Sequence, residues 1–295
     1  MSGVERVIKQ VGSSAAAPGV GEVRLCAGTL VVEHPDQLLL DYLDVRNGYS
    51  YPAYDRLVTN GSAELVDGDL LGPILLGAHV DEGRFALLRE MMPALEAVAD
   101  LPDVALEDAD DDHVLCVAGL FGILDEPRYA GRGVRGTIVS KVLHRKRPDL
   151  VPLYDSRIFE AYTAPGGIPR ATDRSWQDFM ELLCMQMRED LQTEAAAFDA
   201  LQRAAADEGH VLTRLRILDI LVWRAAEAWH EPPGRALRSS PPAPPAAGRA
   251  RRARTPRRSA GRRTRPARSS PRSGSAASAA RRPRWTRDRP AAAGG

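Results

Sequence analysis

The chain has 295 residues, 27% of them charged and 5% aromatic, with a formal net charge of only +1. That total hides two opposite parts: from Glu231 onward there are 18 Arg, no Lys and two acids, a net of +16, so the preceding 230 residues carry −15. No apolar run approaches the ~20 residues of a membrane span, and Met1 to Ala17 lacks the apolar centre of a signal peptide, so the expectation is a cytoplasmic protein without membrane contact.

Taken in order, residues 1–20 read as a flexible arm, with Ala15 to Ala17 and several glycines. Val23 to Val32 alternates around Leu25, Thr29 and Val31, which predicts a short N-terminal β element. After it the periodicity is helical. Pro35 and Asp36 suit a helix start ahead of Leu38 to Leu43, and Phe85, Leu88, Met91, Met92 and Leu95 mark a longer helix kinked at Pro93. The run Glu107 to Asp112 lacks the glycine and terminal Glu of a calcium loop and reads as a solvated connection. Ser175 can cap a helix bearing Phe179, Leu183 and Met187, residues 195–206 are strong helix formers, and Thr213 can cap a last helix ending near Trp229.

The expected fold class is therefore mainly α: a compact helical domain over residues 21–230, followed by a disordered Arg/Pro/Ala-rich tail over 231–295. Arg clusters in that tail can neutralise phosphates without reading sequence. A shifted frame in a GC-rich gene would give the same composition. Cys26, Cys116 and Cys184 are odd in number, far apart and set in apolar sequence, so they read as free core thiols, with neither disulfide nor metal site.

Residues 131–158, GRGVRGTIVSKVLHRKRPDLVPLYDSRI, hold the only stretch whose spacing suggests chemistry. Gly131, Gly133 and Gly136 spell the glycine pattern of a dinucleotide loop, which makes a nucleotide-binding protein one reading. That loop needs a buried strand just before it, and Leu124 to Ala130 contains two acids, a Pro and an Arg. A helical hairpin asks for less. Gly133-Val134 makes a tight turn, a helix starts at Thr137 with Ile138, Val139, Val142 and Leu143 inward, and Pro148 closes it. Lys141, His144 and Arg145 then share an outer basic face, while the turn amides at Gly133 to Thr137 favour a phosphate.

That order of parts resembles the helix-hairpin-helix DNA glycosylase superfamily over about 30 residues: Gly133-Val134, the helix from Thr137, and Pro152-Leu153-Tyr154-Asp155. The segment from Ser140 to Ser156 also resembles an uncharacterised family from GC-rich bacteria. The glycosylase resemblance implies DNA binding through Gly133, Val134, Arg135, Gly136, Thr137, Lys141 and Arg145, and a catalytic Asp155 that stabilises positive charge on a departing nucleoside. An extruded base would need walls, for which Tyr154 and Tyr162 are candidates. The second hairpin glycine falls on Arg135, and Thr137 stands where bifunctional members carry a nucleophilic Lys. Any activity would thus be monofunctional base excision, without cofactor or iron–sulfur cluster. Asp155 also suits a plain helix N-cap, and a noncatalytic protein-interaction module is the alternative reading.

Overall fold

The computed structural model describes residues 20–49, 51–57 and 64–230, which belong to one compact unit. Most of the expected N-terminal arm and all of the Arg-rich tail lie outside the described residues. The architecture is mainly helical, with one small sheet at the N-terminal end.

That sheet is the hairpin expected from the alternation. Strands β1 (Glu22–Leu25) and β2 (Leu30–Glu33) pair antiparallel, with Val23 opposite Val32 and Leu25 opposite Leu30. Those four side chains are buried and their neighbours face water. The turn is unusual because Cys26 and Ala27 both have φ 56°, a left-handed conformation costing a non-glycine residue ~1–2 kcal/mol. Asp190, far along the chain, offsets that cost: its carboxylate accepts from the Cys26 amide at 2.8 Å and the Ala27 amide at 3.3 Å.

Ten α-helices follow among the described residues. Helix α1 (Pro35–Leu43) has Pro at its first position, where a missing N–H costs nothing. Short α2 (Tyr51–Asp55) and α3 (Asp67–Leu71) precede α4 (Glu82–Leu95), which contains Pro93. Helix α5 (Asp111–Phe121) starts inside the acidic run. Asp110 accepts from the His113 amide at 2.9 Å, while His113 Nδ1 accepts from the Asp110 amide. Three acids at a helix N-terminus complement its dipole, so part of the run expected to be a solvated connection is a helix start.

Helices α6 (Gly136–Leu143) and α7 (Ser156–Tyr162) carry the hairpin-like segment. Helices α8 (Trp176–Thr193), α9 (Ala195–Asp207) and α10 (Arg214–His230) close the domain. The expected caps are in place: Ser175 Oγ accepts from the Asp178 amide and Thr213 Oγ1 from the Arg216 amide, both at 3.0 Å. Helix α10 is the centre of the core. Ile217, Leu218, Ile220, Leu221 and Val222 are all fully buried, and α10 packs on α1, α7, α8, α9 and β2.

Two expectations are corrected here. Cys26 and Cys184 are buried free thiols, but Cys116 is exposed, because it falls on the outer face of α5. The outer basic face of α6 does not form. Ile138 through Leu143 are all buried, since the turn Gly72–Leu76 and α3 cover the side opposite the core.

Candidate functional site

Before Gly131 the chain forms a 3-10 turn (Gly122–Asp125) and then irregular turns, so the glycine pattern has no strand to support a dinucleotide loop. Gly131 and Gly133 take φ 73° and 97°, conformations in which glycine is unstrained. The Gly133 carbonyl accepts from Arg84 Nε at 3.2 Å, and Val134 is buried beneath it. Arg135 is exposed at the N-cap position of α6, making no side-chain cap bond. Thr137 is half-buried.

Gly136 is where the phosphate-cradle expectation meets a physical obstacle. A Cβ there would lie 2.3 Å from Trp176 Cζ3. The glycine lets the indole pack directly on the first turn of α6, so an aromatic ring covers the helix end where a phosphate was expected.

Lys141 and Arg145, expected to meet DNA from an open face, are interior. Lys141 is 6% exposed and its Nζ donates to the Leu76 carbonyl at 2.9 Å; burial lowers its pKa, with Asp155 and Asp219 acting the other way. The Arg145 side chain donates from Nε to Asp69 at 3.2 Å, from Nη1 to the Tyr54 carbonyl at 3.1 Å and from Nη2 to the Leu57 carbonyl at 2.6 Å. Its entry depends on Gly72, whose added Cβ would stand 2.5 Å from Arg145 Cδ. Lys146 pairs with the same Asp69 at 2.7 Å.

Further in, Arg216 is 2% exposed and bridges two carboxylates, Asp55 at 3.0 Å and Asp219 at 2.5 Å. Burial pushes the Asp219 carboxyl up to about 7 against the opposing pull of Arg216, and raises Asp55 in the same way. Removing one partner of such a network strands a buried charge, at a typical cost of ~3–5 kcal/mol.

Asp155 caps α7, its Oδ1 accepting from the Arg157 and Ile158 amides at 2.9 and 3.1 Å. It is half-exposed, and its charge helps raise the neighbouring Tyr154 phenol to about 12, after the larger effect of burial. Tyr154 does line an opening. Together with Phe159, Trp176 and Phe179 it forms an aromatic cleft of about 190 Å³, with Arg170 and Arg174 among its lining residues. The Tyr154 ring meets Trp176 and Phe179 edge-on, each at 5.5 Å between centroids. Arg170 lies over the Phe159 ring at 5.4 Å.

Tyr162 does not belong to that cleft. It is fully buried and its hydroxyl donates to Asp190 at 2.8 Å, which makes it part of the support under the Cys26-Ala27 turn. Sequence reasoning missed Trp176, Phe159, Phe179, Arg170 and Arg174, which reach the cleft from two helices and the loop between them. It also missed Arg216 and Asp219, although two opposite charges inside the apolar run of α10 are a readable sign of a buried ion pair.

A mainly helical domain with an N-terminal hairpin, a charged interior and an aromatic cleft is the class of protein that these features define. Residues 36–226 match the family of unknown function DUF6308, and the chain belongs to that family. No curated protein and no solved structure matches it. Among the described residues no helix is long and apolar enough to cross a membrane, and no group of three His, Cys, Asp or Glu side chains is placed to hold a metal ion.

Proposed function

We propose that this domain binds nucleic acid by taking an unstacked base into the cleft of Tyr154, Phe159, Trp176 and Phe179. The observation carrying the reading is the convergence of four aromatic rings with Arg170 and Arg174 around one opening. Rings offer a base a sequence-tolerant stacking surface, and arginines meet the flanking phosphates. The unpaired Arg135, next to the glycine on which Trp176 packs, adds a third cation on this side. The contact with nucleic acid is thus shifted from the body of α6 to Arg135, exposed just ahead of it, and the cleft beside it.

In its enzymatic form the site excises the base. Asp155 adjoins Tyr154 and keeps Oδ2 outside the cap bonds, free to stabilise the positive charge that develops as the base leaves. The Lys141 amine is buried on a carbonyl and offers no nucleophile, which favours hydrolysis alone.

Anisotropy of a labelled single-stranded oligonucleotide tests binding, read at raised salt so that the Arg-rich segment contributes little. Trp176→Ala should weaken binding by roughly 5- to 150-fold, the loss of ~1–3 kcal/mol expected for one stacked base. The double charge reversal Arg170→Glu with Arg174→Glu should do at least as much. Affinity unchanged by both variants ends the proposal. For excision, duplexes with damaged or mismatched bases are scored for abasic sites. Asp155→Asn, which still caps α7, should abolish product; equal product from this variant removes the enzymatic claim.

A further inference from the structure

A second cavity, of about 280 Å³, opens where α2, the end of α6 and the loop before α10 meet. His144 and Arg216 in its polar lining are buried, and Asp55 and Arg145 are held in place by the ion network. His144 is 2% exposed, and its Nδ1 is held by the Val151 carbonyl at 2.7 Å. That bond fixes the proton on Nδ1 and leaves Nε2 an acceptor with no hydrogen bond of its own. Asp55, 19% exposed in its side chain, accepts one bond from Arg216 on each oxygen, at 3.0 and 3.3 Å, and keeps further lone pairs. The three bonds made by Arg145 leave one N–H on each terminal nitrogen without a partner. The rim is apolar, and it includes Val211, which is 95% exposed.

Acceptors and donors therefore stand side by side against an apolar rim. A carboxylate ligand would satisfy Arg145 but turn its lone pairs on Asp55 and His144 Nε2. An ammonium ligand would satisfy those acceptors but face two guanidinium groups. We propose that this cavity binds a neutral carboxamide or lactam on an apolar body, its NH donating to Asp55 or His144 Nε2 and its carbonyl accepting from Arg145. The His144 acceptor persists at any physiological pH, because burial beside Arg216 and Arg145 pushes its pKa down to about 3.

Three near-isosteric probes separate the possibilities: nicotinamide, nicotinate and 3-(aminomethyl)pyridine, titrated into the full chain by saturation-transfer NMR. Nicotinamide should bind at least about tenfold more tightly than either charged analogue, the scale set by leaving one buried polar group unpaired. Asp55→Asn should weaken nicotinamide binding. Val211→Asp, at an exposed position with no role in the core, should weaken it at least about fivefold by wetting the apolar rim, with no change in melting temperature. Equal or tighter binding of a charged analogue, no binding of any probe, or nicotinamide affinity unchanged in Val211→Asp overturns the proposal. These groups are separate from the aromatic cleft, so either result leaves the nucleic-acid test unaffected.

Discussion

Individual residues here do jobs that their types alone would not suggest. His144, expected on a basic outer face, is a neutral buried imidazole stacked on Tyr54. Its ordinary pKa of 6.5 falls to about 3 in the fold, so below about 6.5 the unfolded chain binds a proton that the folded chain refuses. Its contribution is complete above about 6.5 and is lost progressively as pH falls toward about 3. Between pH 7 and pH 5 this one group should cost about 2 kcal/mol of stability. Asp219, with its pKa raised to about 7, acts in the opposite direction over the same range. Urea denaturation at the two pH values isolates the His144 effect: His144→Gln should lose less stability than the parent on acidification, and an identical loss would refute the assignment. The error about this segment has a physical origin. Lys141, Arg145 and Lys146 look solvated in the local sequence, whereas the groups that receive them, Leu76, Asp69, Tyr54 and Leu57, lie 65 to 91 residues earlier. A window of ten residues cannot contain such partners.

At the scale of elements, legibility followed the source of the signal. Helices α8 and α10 could be read because periodic apolar residues and their capping Ser175 and Thr213 lie in one stretch of chain. The hairpin was readable from strict alternation, and its buried faces agree with it. The aromatic cleft was not, since α7 supplies Phe159, α8 supplies Trp176 and Phe179, and only folding brings them beside Tyr154. The contact between α6 and α8 gives the sharpest test of an element. By helix propensity alone Gly136→Ala should stabilise α6 by up to ~1 kcal/mol. The new Cβ would stand 2.3 Å from Trp176, and such overpacking costs typically ~1–3 kcal/mol. The clash should win, lowering the melting temperature, and Trp176→Leu in the same chain should recover much of the loss. A rise in melting temperature for Gly136→Ala alone would show that the indole does not rest there.

Across the whole molecule, the N-terminal hairpin is tied to the helical body by its buried apolar face, which β2 packs on α10, and by the polar anchor Asp190. It collects two amides of the strained turn and the Tyr162 hydroxyl. Asp190→Ala should therefore strand two buried donors, the Cys26 amide and the Tyr162 hydroxyl, and release the part-buried Ala27 amide, destabilising the protein by several kcal/mol at ~1–3 kcal/mol for each buried unsatisfied group. Thermal melting checks it, and a change below ~1 kcal/mol would mean that the turn holds itself. The same long-range ties govern the order of events during synthesis. Cys26 waits 164 residues for Asp190, and Asp55 waits 161 for Arg216. At ~5–20 residues per second each partner is missing for roughly 8–30 s. The nascent chain must carry its first strands and its half-made ion network in water until α8 and α10 emerge, so a shortened transcript ending before α10 should yield chains fit for degradation rather than a smaller working domain.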